Sequence, residues 1–309
     1  MTLARAAWFV WAFLLTAALT SCGGSEAGRQ MTATPSAVPS GTTSTAPRSH
    51  IAVLVMENKE YSEIVGSDEA PFMNELADRS TTLTQMFAIR HPSLPNYLAL
   101  IGGSTFGIHN DCTDCFVDSP NLVDQLETHG ISWKAYMEGM PSACYKGSES
   151  GRYAMKHNPF MYFENIRNSP ERCNKVVPFT ELERDLANDS MPQFAFITPD
   201  LCNDTHDCPI STGDDFLATW VPKITEHLDP SGILIVTYDE GSSHERCCGL
   251  AAGGHIYTVI TGPGARSGER ISEPVSIYSI LRLIEDNWGL GHLGAAGDES
   301  TPSIVGFKR

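Results

Sequence analysis

Positive charge is scarce in this chain: 21 Lys and Arg stand against 37 Asp and Glu, a formal net charge of −16 over 309 residues. Without a basic stripe, a general nucleic-acid binder is excluded. An anionic substrate would meet a repulsive overall field and would need a local cation, most simply a metal ion. Long apolar runs are missing beyond the first twenty residues, so no later stretch can span a bilayer. There is no internal repeat. No second CxxC follows Cys112-x-x-Cys115, which weakens a zinc or redox reading of that pair. Apolar content is not lacking: at 41% hydrophobic residues the chain can build a core, which excludes global disorder.

The N-terminus carries an export pattern. Arg5 precedes a run from Ala6 to Leu19 that is apolar but for Thr16, too short for a span and suited to a signal-peptide core. The run ends in Leu19-Thr20-Ser21-Cys22-Gly23-Gly24, which resembles a bacterial lipobox with Cys22 as the lipidated first residue of the mature protein. An ordinary signal peptide cut nearby, with Cys22 incidental, is the alternative. Ser, Thr, Pro, Ala and Gly then dominate up to Arg48, the composition of a solvated tether. The expected organisation is a signal peptide over 1–21, a lipidated Cys and tether over 22–48, and one folded domain over 49–309. The protein is then held at a membrane only through its N-terminal lipid, or secreted if the lipobox is not used.

Cys22 apart, eight cysteines remain, and an even count in an exported domain favours disulfides. Spacing suggests a local staple for Cys112 and Cys115. Adjacent Cys247 and Cys248 are expected to take separate partners rather than each other. Bridges among Cys202, Cys208, Cys247 and Cys248 would staple the loops that carry the candidate site.

Strand-like and helix-like segments alternate along the folded region. Ile51–Met56, Gln193–Thr198 and Gly232–Tyr238 are short, continuous apolar runs, the look of strands buried on both faces. Ile131–Met137 and Ile256–Thr261 read as further strands. Helical spacing marks Pro71–Asp78, Asn121–Thr128, Phe179–Ala187, Asp214–His227 and Val275–Trp288. This alternation predicts an α/β domain with a mostly parallel central sheet and helices on both faces. The stretch Cys112–Asn174, rich in Cys, Gly, Pro and Ser, is the least regular and is expected to leave the sheet.

Ligands of open α/β sheets bind beyond the carboxyl ends of the strands. Three strands here end in acids: Glu57-Asn58, then Asp200, Asp204 and Asp207, then Asp239-Glu240. Carboxylates gathered at one edge repel unless protons or a cation neutralise them, and oxygen-rich ligation suits a hard divalent cation. Between two prolines, Ser93 precedes an apolar segment. It reads either as a helix-capping Ser or as a nucleophile activated by a metal at a helix N-terminus. His157, His206 and His255 lie in polar surroundings, and His206 between Asp204 and Asp207 is the favoured proton carrier.

The segments VMENKEY (Val55–Tyr61), APFMNELA (Ala70–Ala77), HPSLPNYLAL (His91–Leu100), KHNPF (Lys156–Phe160), TPDLCNDTHD (Thr198–Asp207), YDEG (Tyr238–Gly241), GGHIYTVITGPG (Gly253–Gly264) and YSILRLIEDNWGL (Tyr278–Leu290), in this order, resemble the phosphoesterase family of acid phosphatases and bacterial phospholipases C. The resemblance implies an alkaline phosphatase-like three-layer αβα sandwich and one or more divalent metal ions. It implies a metal set of Glu57, Asn58, Asp239 and Glu240. Ser93, His206, His255 and His157 fall at catalytic positions, and His91, Asn96, Lys156 and Asp204 at substrate-binding ones. The implied activity is hydrolysis of phosphate monoesters, of small molecules or phosphoinositide headgroups, through a phosphoserine. A phospholipase C-type phosphodiesterase on the same site is the first alternative, and a non-catalytic phosphate- or metal-binding lipoprotein the second. Two positions depart from the family pattern: Ile277 stands where many members have His, and Asp200 where relatives often have Asn.

Overall fold

The computed structural model describes residues 49–309. The signal-peptide assignment, the lipidated Cys22 and the tether lie outside the described residues.

Eight strands form the central sheet: β1 (Ile51–Met56), β2 (Thr81–Leu83), β3 (Trp133–Met137), β4 (Val176–Pro178), β5 (Phe194–Thr198), β6 (Ile233–Tyr238), β7 (Thr258–Thr261) and β8 (Arg270–Ile271). Their spatial order is β8-β2-β7-β6-β1-β5-β3-β4. All run the same way except β7, which pairs antiparallel with both β6 and β2. Every residue of β1 and β6 is buried. That explains why their sequences are apolar without alternation: a central strand covered on both faces has no solvent side.

The main helices are α1 (Pro71–Arg79), α2 (Ser93–Gly102), α3 (Leu122–Thr128), α4 (Thr180–Ala187), α5 (Ile210–Glu226) and α6 (Ile277–Trp288). Cross-strand partners share a face, so the register sorts them into layers. Phe194 and Phe196 pair with Ile51 and Val53, and their rings meet Trp288 of α6 and Tyr97 of α2. Tyr238 pairs with Met56 and reaches Met73 of α1, while Met56 lies under Gly213 of α5. Hence α2 and α6 cover one face and α1 and α5 the other, a three-layer αβα arrangement. The two helices of the second layer are also joined by a polar contact. The Asp214 carboxylate accepts from the amides of Phe72 and Met73 at 3.0 and 2.8 Å, satisfying the start of α1, which lacks a cap of its own.

The strands expected to start at Ile131 and Ile256 start at Trp133 and Thr258, and three larger differences from expectation stand beside these. Helix α5 starts four residues earlier than its periodicity suggests, directly after Pro209. Val275 and Ser276 pair with Met86 and Phe87 as a short parallel ladder, and α6 begins only at Ile277 behind a Ser276/Ser279 capping box. The irregular region does not leave the sheet throughout, because β3 lies inside it between β5 and β4. Excursion describes residues 138–174, a two-stranded hairpin followed by short helical turns.

The cysteines pair Cys112–Cys115, Cys144–Cys173, Cys202–Cys208 and Cys247–Cys248. The last pair corrects the expectation of separate partners. Among the described residues the other six cysteines pair with one another. A tight turn with Cys248 at φ 25° brings the two together.

Candidate active site

The sheet order β6-β1-β5 sets three consecutive parallel strands side by side, so their C-terminal loops share one edge. The loops are sewn together at the backbone. Glu57 N donates to Asp204 O at 2.8 Å, Asp239 N to Met56 O at 2.9 Å, and Thr205 Oγ1 to Glu57 O at 2.9 Å. Asn58 sits at φ 58° and Thr205 at φ 77°, left-handed conformations rare for side-chain-bearing residues and found where geometry is over-determined. Gly213 of α5 presses against Thr205: a Cβ there would lie 2.3 Å from its methyl.

Ser93 is the first residue of α2 and makes no capping bond, so the capping alternative does not describe it. Its hydroxyl instead donates to Glu57 Oε2 at 3.0 Å and lies 3.3 Å from Glu240 Oε1. Glu57 is fully buried. Its other oxygen accepts from the Tyr97 hydroxyl, one helical turn after Ser93 and on the same helix face. The Tyr97 ring stacks on His157 at 5.5 Å.

His157 is almost wholly buried, with Nε2 3.2 Å from Glu57 Oε2 and Nδ1 3.3 Å from Asp204 Oδ2. Glu57, His157 and Asp204 each present one donor atom, all within 4.8 Å of one another. His157 and Asp204, expected at catalytic and substrate-binding positions, thus fall with Glu57 in one cluster of ligand-type atoms. Around this triad Asn58 N donates to Asp239 Oδ1 at 3.1 Å, which brings Asn58 and Asp239 into the same cluster. Glu240 joins it to His91, whose Nδ1 contacts Glu240 Oε2 while Nε2 reaches Ser243 O at 2.8 Å.

The cluster has the chemistry of a cation site. Asn58 Oδ1, His157 Nε2, Asp204 Oδ2 and Asp239 Oδ2 are buried and have no hydrogen-bond partner among the described residues. Burial, reinforced by Asp239 and Asp204, drives the Glu57 carboxyl well above its ordinary range. Burial together with neighbouring acids pushes Asp204 and Asp239 up to about 8, and burial lifts Glu240 to about 7. Burial, with Lys156 and His206 adding to it, holds His157 well below its usual value and so neutral, as a ligand must be. Acids this costly to ionise, beside donor atoms left without partners, fit a divalent cation bound by oxygen with one imidazole.

His206 stands at the solvent side of the cluster, its ring 5.6 Å from that of His157. Its Nδ1 lies 2.6 Å from Asp207 Oδ1 and its Nε2 3.0 Å from Lys156 Nζ. The Cys202–Cys208 bridge brackets this loop. Asp200, the departure from the family pattern, caps its own turn by accepting from Cys202 N and Asn203 N.

Two expected site residues have their side chains engaged outside the cluster. His255 stacks on Tyr61 and Phe87, with Nε2 3.0 Å from Thr84 O. Asn96 is buried and spent on the backbone. Its Oδ1 accepts from Ile89 and Arg90, and its Nδ2 donates to Arg90 O at 2.6 Å, which fixes the turn ahead of Ser93. Ile277 is buried in the core at the start of α6. Two residues were not singled out from sequence. Tyr97 had a signal, the i,i+4 spacing from Ser93. Asp111 had none: it comes from an aperiodic loop, yet its carboxylate accepts from Leu94 N at 3.0 Å and lies 3.3 Å from Lys156 Nζ.

The layers and the acid-lined edge define an α/β domain with a hydroxyl set among buried ligand-type groups. The same fold occurs in a protein of the alkaline phosphatase superfamily from Vibrio parahaemolyticus, with a TM-score of 0.55 at 15% identity over 84% of this chain and 71% of that one. The profile of the Phosphoesterase family matches residues 67–291, and the chain belongs to that family. It is 32% identical over 272 residues to a probable acid phosphatase of Kluyveromyces lactis, covering 82% of this chain and 61% of that protein. It is also 32% identical over 249 residues to a phosphatidylinositol-3-phosphatase of Mycobacterium tuberculosis, covering 80% and 79%. The chain thus spans less than two thirds of the fungal relative. Among the described residues no helix is long and apolar enough to cross a membrane.

Proposed function

We propose that this chain is an exported, metal-dependent acid phosphatase that hydrolyses phosphate monoesters, phosphoinositides included, through Ser93. One observation carries the reading: the Ser93 hydroxyl, at the first residue of a helix, donates into a buried carboxylate cluster 3.0 Å away instead of capping its helix. The acid phosphatase and phosphatidylinositol-3-phosphatase relatives support the substrate class.

Glu57, Asn58, His157, Asp204, Asp239 and Glu240 would hold the cation. When bound, it supplies Lewis-acid charge that stabilises an alkoxide and the phosphoryl oxygens. Ser93 Oγ attacks phosphorus as the bond to the leaving alcohol breaks. Its proton departs along the hydrogen bond it already makes toward Glu57 or Glu240. Tyr97 orients the Glu57 carboxylate that receives Ser93. His206, held between Asp207 and Lys156, gives a proton to the leaving alkoxide. It then takes one from the water that cleaves the phosphoserine, and as the P–Oγ bond breaks Ser93 regains its proton from the carboxylate that took it, which releases phosphate and restores Ser93.

The test is a paired assay of 4-nitrophenyl phosphate and bis(4-nitrophenyl) phosphate with and without chelator, on wild type and Ser93→Ala. The monoester should be the better substrate, chelation should silence turnover, and Ser93→Ala should lose at least a thousandfold in kcat while still binding the cation. Wild-type-like turnover by Ser93→Ala removes the nucleophile assignment, and diester preference shifts the reading to a phosphodiesterase.

A further inference from the structure

Beside the Ser93 cluster lies a second concavity of about 420 Å³, lined among others by Arg90, His91, Thr105, His244, Leu250 and Tyr278. It shares one wall with the site, because His91 lines it and also contacts Glu240, which neighbours Ser93. Its polar lining is made mostly of donors. Arg90 has no carboxylate partner among the described residues, and its Nη1 meets only the His109 ring at 2.5 Å. Tyr278 is 4% exposed, and its hydroxyl has no hydrogen-bond partner among the described residues. His244 packs edge-on against His91 at 5.1 Å and makes no hydrogen bond there. The apolar part comes from Leu250, exposed at the rim, with Ile89 and Ala252. Of the acids, Glu240 contacts the lining His91, Asp298 acts electrostatically on Tyr278, and Glu245 follows His244 in the chain.

A guanidinium, a phenol and an imidazole around one hollow make a receptor for an anion. Resting on the phosphatase reading above, we infer that this cavity seats the alcohol portion of the substrate and selects monoesters whose leaving group carries a second anionic group on an apolar body, with Arg90 as the specificity-determining residue. The phosphoryl group faces Ser93, and the second anion is met by Arg90 and Tyr278 on the far side of His91. The local cationic wall reverses the repulsion that the rest of the surface imposes on a doubly anionic substrate.

The experiment compares kcat/KM for phenyl phosphate and 4-carboxyphenyl phosphate in the metal-replete full chain, for wild type, Arg90→Gln and Arg90→Lys. Wild type should favour the carboxylated ester by about tenfold, Arg90→Gln should bring that ratio close to unity, and Arg90→Lys should recover part of it. A second pair, inositol 3-phosphate and its dibutanoyl phosphatidyl form, distinguishes a lipid diester from a carboxylate as the preferred anion. An Arg90-dependent preference in either pair supports the cavity assignment; an unchanged ratio in both overturns it. If wild type hydrolyses neither ester, the phosphatase reading fails on its own. The cavity is then judged by calorimetry with benzylphosphonate and 4-carboxybenzylphosphonate: tighter binding of the latter that Arg90→Gln abolishes supports it, and equal affinity refutes it.

Discussion

Replacing Tyr97 with Phe removes one oxygen from the interior and tests how the cation cluster is held. In wild type the two oxygens of Glu57 are separately served, one by Tyr97 and the other by Ser93 at 3.0 Å. Glu57 is fully buried, so no solvent replaces the lost phenol. A buried acceptor left without its donor costs about 1–3 kcal/mol. If that cost falls on the ionised carboxylate that binds the cation, affinity drops by roughly 5- to 150-fold, which brackets the roughly 10- to 100-fold losses seen when outer partners of metal ligands are removed. The sign with pH is fixed as well. The Tyr97 hydrogen bond lowers the Glu57 pKa, so its loss raises that pKa further and lets protons compete better with the cation. The affinity deficit should therefore widen as pH falls. Isothermal titration with a divalent cation at two pH values measures it, and thermal denaturation shows whether the ring still packs on His157. Cation affinity within twofold of wild type at both pH values would refute the view that Tyr97 orients a ligand.

Other consequences follow from the same cluster. With the cation chelated, Asp204 and Asp239, raised to about 8, and Glu240, raised to about 7, bind protons in the folded state that they lose when unfolded. Their contribution to stability is present at low pH and is lost as pH rises toward those values. The lowered pKa of His157 acts in the opposite sense below its unfolded value of roughly 6.5, so the clean window lies above that pH. Chelated protein should melt at progressively lower temperature as pH rises from about 6.5 to about 8, and cation should restore it; a flat profile would contradict the burial of unpaired acids. Replacing both Cys202 and Cys208 with Ser opens the short loop that carries Asp204 and His206. Urea denaturation should show a loss of about 2 kcal/mol from the freed unfolded chain. Activity should fall further than that global loss explains, because the loop positions two site residues; unchanged kcat in the folded double variant would show that the staple serves stability alone.

The legible part of the fold came from local physics. Ile51–Met56 and Gly232–Tyr238 announce buried central strands because a strand covered on both faces carries no polar alternation. Helix boundaries were less legible where a neighbour decides them. Val275 and Ser276 carry helical spacing but pair with Met86 and Phe87, and Asp214 sits inside α5 while serving the start of α1. In the site, acids placed directly after strands were readable because the strand end fixes their edge. Asn96 misled because an amide near a nucleophile looks available until the turn it braces is built.

By itself, then, the sequence determined the acid-rich strand ends, the hydroxyl ahead of an apolar helix, the cysteine supply and the α/β alternation, because each is a property of neighbours along the chain. Only the tertiary structure decided which donors meet. His157 reaches Glu57 across a hundred residues, Asp204 across a further stretch, and Tyr97 enters from a helix turn that happens to face them. It also decided that Cys247 bonds its neighbour Cys248 rather than a distant partner. Composition and spacing fix what a residue can donate. Strand order and burial fix what stands within 3 Å to receive it, and whether water is there to compete.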